Sequence, residues 1–157
     1  EFFGDDPKRK RTFLQFLDKD YCGIIVNDGA QWVNYGWISK PNTLGPPHLP
    51  RSIQRNPVYW LFYQHTRVEY RGRGYYKMAL KIQITCVREQ NPVANLHIDA
   101  RVDNVASRRG IISVGFRPRG LIYASQIRIP KIKPWVWGYW DTDAKHPRLD
   151  GGEPVGS

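Results

Sequence analysis

Along this chain the apolar residues follow two rhythms, one helical and one alternating, and the rhythm switches several times between residues 12 and 140. Residues 12–19 set Phe13, Phe16 and Leu17 on one side at helical spacing, which predicts a short helix. Residues 21–40 hold two β-rich runs around Asp28-Gly29, a strong short-range hairpin signal, so an antiparallel pair is expected there. Residues 41–57 carry five prolines and no clear period, which predicts a surface loop, near a substrate entrance. Residues 58–65 are apolar on both alternating faces, with Tyr59, Leu61 and Tyr63 on one and Trp60 and Phe62 on the other. Such a strand is covered on both sides.

Helical spacing returns over residues 75–90, where Tyr76, Leu80, Ile84 and Val87 form a stripe that Lys77, Lys81 and Arg88 avoid. Residues 95–102 alternate Leu96, Ile98, Ala100 and Val102 against polar neighbours, a strand pattern. A second helix follows, with Asp103 or Asn104 as its N-cap and Gly115 placed to close it. Two more strands are expected over 121–129 and 135–140. Residues 1–140 read as one domain, and 141–157 as a mobile tail.

Charge narrows the partners. Twenty-four Lys and Arg against fourteen Asp and Glu give +10, a field that favours an anionic ligand without naming it. Residues 67–88 carry six basic groups against Glu69 alone, and residues 101–133 carry eight against Asp103 alone. The run Lys8-Arg9-Lys10-Arg11 reads as a solvated terminus. No apolar run approaches a membrane span, so no membrane association is expected. Two cysteines, Cys22 and Cys86, and no apolar leader fit a reduced, cytoplasmic setting. No metal site is expected.

One motif carries chemistry. Arg71-Gly72-Arg73-Gly74 lies between the buried strand and the amphipathic helix, where glycines let backbone N–H groups converge and a helix start adds partial positive charge. That arrangement suits a phosphate or pyrophosphate. There is no GxxxxGK[ST], and no GxGxxG with an acid about twenty residues on, so the nucleotide loops of those types are excluded.

The stretch 58–116 resembles the GNAT acetyltransferase superfamily, whose cofactor motif R/Q-x-x-G-x-G/A falls here on Arg71, Gly74 and Tyr76. Its second pattern falls on Asn104, Ser107, Ile111, Gly115 and Phe116. The resemblance covers residues 21–130, and residues 1–20 are short for the family's opening strand and helices. It implies an α+β fold, a mixed, mostly antiparallel sheet flanked by helices, with the strands at 58–66 and 95–102 splayed around the pantetheine arm. It further implies acetyl-CoA, or another acyl-CoA, held by Thr66, Val68, Arg71, Gly72, Arg73, Gly74, Tyr75, Tyr76, Asn104 and Ser107. The acyl group would pass to an amine of a small molecule or a protein, acidic acceptors included, by direct attack in a ternary complex.

Two residues depart from the pattern. Tyr76 stands where the loop favours Gly or Ala, and Ile111 stands where many relatives place the tyrosine thought to protonate the thiolate. His65, at the end of the buried strand, is the leading general base, with Tyr63 behind it. Arg73 or Lys77 is expected to meet the adenosine phosphate. Trp32, Trp37, Trp60, Trp135 and Trp137 are core candidates or linings of an acceptor pocket. A basic nucleic-acid binding module, and a GNAT-like domain that binds without catalysis, stand as the alternatives.

Overall fold

The structure is a computed structural model, and it describes residues 6–127, 135–147 and 149. Helix α1 (Pro7–Leu17) begins at Asp6, whose carboxylate accepts from the Arg9 N–H at 2.9 Å, with Pro7 in the first helical position. The basic run 8–11 is therefore part of a helix. Phe13 and Phe16 are buried, whereas Leu17 is 58% exposed, because α1 meets the sheet along a narrow strip.

Strands β1 (Cys22–Asp28) and β2 (Gln31–Ser39) form the expected hairpin, with Asp28 opposite Gln31. Inside the proline-rich stretch a single helical turn, α2 (Arg51–Gln54), forms. Ile53 is buried there, and the Gln54 amide donates to the Leu49 carbonyl at 2.6 Å. Strand β3 (Tyr59–Thr66) pairs antiparallel with β2 and parallel with the short β4 (Leu96–Ile98). Between them in sequence comes α3 (Tyr75–Gln90), and after β4 comes α4 (Val105–Ser113). The strand order is β1-β2-β3-β4, mostly antiparallel and flanked by helices. The fold class is α+β, as the sequence suggests.

β3 is indeed covered on both faces. Trp60 and Phe62 join Phe13, Phe16, Tyr35 and Trp37 under α1, while Leu61 joins Leu80, Val87 and Ile111 under α3 and α4. Full burial of an aliphatic side chain such as Leu61 or Leu80 is worth about 1.5–3 kcal/mol, so the two faces hold β3 from both sides. Tyr63 does not follow Tyr59 and Leu61. It adopts φ of +52°, two residues of β3 oppose Gly36 alone, and its ring turns to the α1 face against Phe13, Phe16 and Tyr35.

A separate two-stranded sheet, β5 (Leu121–Ile127) with β6 (Trp135–Asp141), packs beside β4 through Trp140 against Trp60 and His97. Of the stretch expected as a tail, Pro147 and Leu149 lie against α4, their carbonyls accepting from Arg108 and Arg109. Among the described residues no helix is long and apolar enough to cross a membrane.

Candidate active site

The site begins where the pairing of β3 changes. On its β2 side the extra residue at Tyr63 and Gln64 makes a bulge, and the Gln64 amide donates to Gln83 of α3 at 2.8 Å. Gln83 is fully buried. Only glycine fits at position 36, because a Cβ there would collide with the amides of both glutamines. On the other side β3 and β4 pair at Tyr59–Leu96, Trp60–His97 and Leu61–Ile98, and then part. The strand expected over 95–102 is thus cut to three residues: the ladder to β3 ends at Ile98, and Asp99 turns its carboxylate to the Trp60 indole N–H (2.8 Å) and to His48 (2.9 Å).

The chain then runs from Thr66 through a 3-10 turn at Val68–Tyr70 into the glycine loop. Gly72 (φ +76°) and Gly74 (φ +86°) take left-handed conformations that disfavour other residues, and a Cβ at either would meet open space. Gly74 is the N-cap of α3 and brings no side-chain cap, while the first helical bond is Met78 N–H to the Gly74 carbonyl at 3.0 Å. The N–H groups of Tyr75, Tyr76 and Lys77 therefore precede the helical ladder and point out of it. No acidic residue stands in this first turn. Such an end fits a pyrophosphate.

Around the loop the cations are braced. Arg71 Nε donates to the Thr66 carbonyl at 3.2 Å, the Thr66 hydroxyl accepts from buried Asn34 at 2.7 Å, and Arg73 lies over the Tyr70 ring at 5.4 Å. Tyr75 donates to Asp28 at 2.5 Å. Val68 and Lys77 are exposed.

Tyr76 sits in the small-residue position without closing the loop, because its side chain leaves for the α3–α4 interface. Its hydroxyl is 2.8 Å from the Ser107 hydroxyl, and its ring lies against Gly110, where a Cβ would come within 2.7 Å. Burial pushes the phenol pKa up, the nearby Asp99 charge adds to this, and the Ser107 hydrogen bond opposes it. The phenol stays protonated at neutral pH. Asn104 is the α4 N-cap, accepting from the Ser107 N–H at 3.0 Å. Ile111 is buried against the α3 face of the sheet.

His65 follows the bulge on the α1 face, its ring stacked on Tyr35 with centroids 5.2 Å apart and Trp32 at 6.1 Å. Burial lowers its pKa below the usual imidazole value, and the charges of Arg9 and Arg71 lower it further, outweighing Glu69. It is neutral at pH 7, a state able to accept a proton. Trp37 and Trp60 are core, whereas Trp135 and Trp137 are exposed.

A cavity of about 710 Å³ is lined by β4, by Ile84 and Arg88 of α3, by α4 and by the β5–β6 pair, with Asp99 and Trp60 also in its lining. Asp99 was not among the residues singled out from the sequence. It reads there as one polar position in an alternating strand, and nothing local marks its pairing with Trp60 and His48.

No protein-family model and no curated protein matches the sequence. Among solved structures the chain is similar to an apo aminoglycoside 6'-N-acetyltransferase of Acinetobacter haemolyticus, at 18% identity and TM-score 0.55, over 78% of this chain and 81% of that one. The fold is that of the GNAT acetyltransferases. A Clostridium acetobutylicum protein described as an acetyltransferase and solved with acetyl-CoA shares the GNAT fold at 17% identity and TM-score 0.50, over 73% and 71% of the two chains. A Bacillus subtilis protein described as an acetyltransferase does so at 16% identity and TM-score 0.50, over 79% of each chain. Bulge, parted strands and glycine loop are the parts of this GNAT fold that meet at the site.

Proposed function

We propose that the chain is an acyl-CoA dependent N-acyltransferase that moves an acetyl or other acyl group to an amine. The observation that carries this reading is an uncapped helix N-terminus behind two left-handed glycines, set beside a pair of strands that part. The N–H groups at Gly72–Tyr76 would hold the pyrophosphate, Arg73 or Lys77 the adenosine phosphate, and the segment Thr66–Val68 would lie along the pantetheine arm. Asn104 and Ser107 flank that arm from α4. When bound, acyl-CoA supplies an activated carbonyl as a thioester.

The remaining work belongs to side chains. The acceptor amine loses a proton to His65, with Tyr63 beside it, or to Asp99 across the gap. Which of the two acts is open to a direct test by substitution. Tyr76 projects from α3 against Gly110, one residue before Ile111, and its hydroxyl stays protonated, which supports it as a substitute for the missing α4 tyrosine. As the amine nitrogen bonds to the thioester carbonyl and the C–S bond breaks, it would give its proton to the departing thiolate and stand in for the acid that Ile111 cannot be. The acceptor class, small molecule or protein, belongs to the same proposal.

Calorimetry with acetyl-CoA tests the placement, and Gly74→Val is expected to weaken binding strongly, since a branched side chain at φ +86° distorts the loop. Unchanged affinity would overturn it. Release of free thiol in the presence of amines tests the reaction. Tight acetyl-CoA binding with no transfer to any amine would favour the non-catalytic alternative instead.

A further inference from the structure

The cavity beside β4 has a lopsided charge. Five arginines line it, Arg88, Arg101, Arg108, Arg117 and Arg119, against one carboxylate, Asp99. Three of the five are committed elsewhere. Arg88 donates to the Pro92 carbonyl, Arg101 makes a two-point pair with Asp103, and Arg108 donates to the Val102 and Pro147 carbonyls. The guanidinium groups of Arg117 and Arg119 are exposed and have no hydrogen bond or ion pair among the described residues.

Nothing else in the lining cancels this field. His97 and His146 are kept neutral, first by burial and then by the charges of Arg119 and Arg108 respectively, so each imidazole reports a positive neighbour. Asp99, the one acceptor of opposite sign, is steadied by the Trp60 N–H and His48 at the rim where β3 and β4 part. The cavity lining therefore holds one carboxylate, next to the point where β3 and β4 part, and two uncommitted, exposed guanidinium groups in the segment that leads into β5. Its volume is that of an ordinary small-ligand pocket.

We propose that the acyl acceptor is an amine that also carries an anionic group, a carboxylate or a phosphate, with Arg117 and Arg119 binding the anion and Asp99 receiving the amine. The inference rests on the acyltransferase reading of the adjoining site. Guanidinium groups suit it because their fork of donors matches carboxylate and phosphate geometry in two-point contacts. A polycationic amine meets the opposite fate, since a single carboxylate cannot offset the arginines around it.

Matched amines, differing only in the anion, test the proposal on the full chain with CoA present. Phosphoethanolamine is compared with ethanolamine, β-alanine with its amide, and a peptide with an acidic start with its neutral counterpart. Binding is read by tryptophan fluorescence, because Trp60 and Trp140 line the cavity, and transfer by thiol release with acetyl-CoA. The anionic member of at least one pair is expected to bind about tenfold tighter or more, and which pair responds distinguishes phosphate, free carboxylate and peptide. Replacing both residues, Arg117→Gln with Arg119→Gln, should erase that preference and leave acetyl-CoA affinity unchanged. Both side chains are exposed, so the melting temperature should hold; as a second readout, the wild-type preference should collapse as salt is raised. Equal binding within every pair, tighter binding of spermidine, or a preference that survives the double substitution would each overturn the proposal. Loss of acetyl-CoA binding in wild type would instead sink the acyltransferase reading, and the amine pairs would still report on the cavity.

Discussion

The two flanks of β3 obey different rules. Toward β2 the strand is paired from Trp60 to Thr66, carries a bulge at Tyr63, and is tightened by Gln64 and Gln83 beneath Gly36 and by aromatic rings from α1. Toward β4 it is paired only from Tyr59 to Leu61. The closed flank fixes the strained backbone of Tyr63, a conformation that costs about 1–3 kcal/mol and persists only where its surroundings impose it. On the open flank the ladder to β4 stops at Leu61, so the rest of β3 has no partner strand there among the described residues. One edge of the strand is held rigid and the other loses its partner, which are the two conditions the proposed cofactor slot needs.

The contrast can be broken most severely from its closed side. Gly36→Val should destabilise the protein by about 3 kcal/mol or more, combining overpacking with loss of the buried amide pair. Urea unfolding gives the number, and a wild-type midpoint would mean the flank is looser than described. Tyr76→Phe should cost only about 1 kcal/mol of stability through the lost Ser107 contact, yet slow acyl transfer by about a hundredfold. Acyl donors with a more acidic thiol should recover most of that rate, because such a thiol departs without a proton. Failure of this rescue would reduce Tyr76 to an interhelical contact.

The smallest effect concerns His65, whose folded pKa lies below 6.5 through burial and then Arg9 and Arg71. As pH falls through 6.5 the unfolded imidazole takes a proton more readily than the folded one. Stability should therefore decline from about pH 6.5 down to the folded pKa and level off beneath it, a slope that His65→Ala removes. If His65 is the base, the transfer rate should rise with pH through a midpoint below 6.5 in wild type and lose that midpoint in the variant. A profile indifferent to His65→Ala would move the role to Asp99.

Much of this was legible in the chain because it is local. The α3 stripe, the Asn104 cap, Gly115 after α4 and the hairpin at Asp28-Gly29 depend on spacing and capping, which sequence displays. The glycine loop was legible for the same reason. The bulge was not, since Tyr63 looks like any alternating strand residue and its left-handed turn is imposed by Phe13, Phe16 and Tyr35 from elsewhere. Gln83 hides in a helix as one polar residue beside an apolar stripe, although its partner Gln64 lies across the interface. The expected strand to residue 102 failed because alternation does not reveal where a neighbouring strand departs. Asp99 and the Tyr76–Ser107 contact join segments far apart in sequence, so no motif could carry them.

The β5–β6 hairpin forms a sheet of its own, and among the described residues no backbone ladder ties it to β4. Side chains such as Trp140, lodged against Trp60 and His97, hold this wall in place. Substitutions at the hairpin's inward positions can therefore re-space the chamber while every inter-strand bond of the four-stranded sheet stays intact. If the proposed transfer is right, the architecture separates what must be constant from what can drift: a lineage could exchange one acceptor for another by trading a few residues in the hairpin, with the four-stranded sheet inherited unaltered.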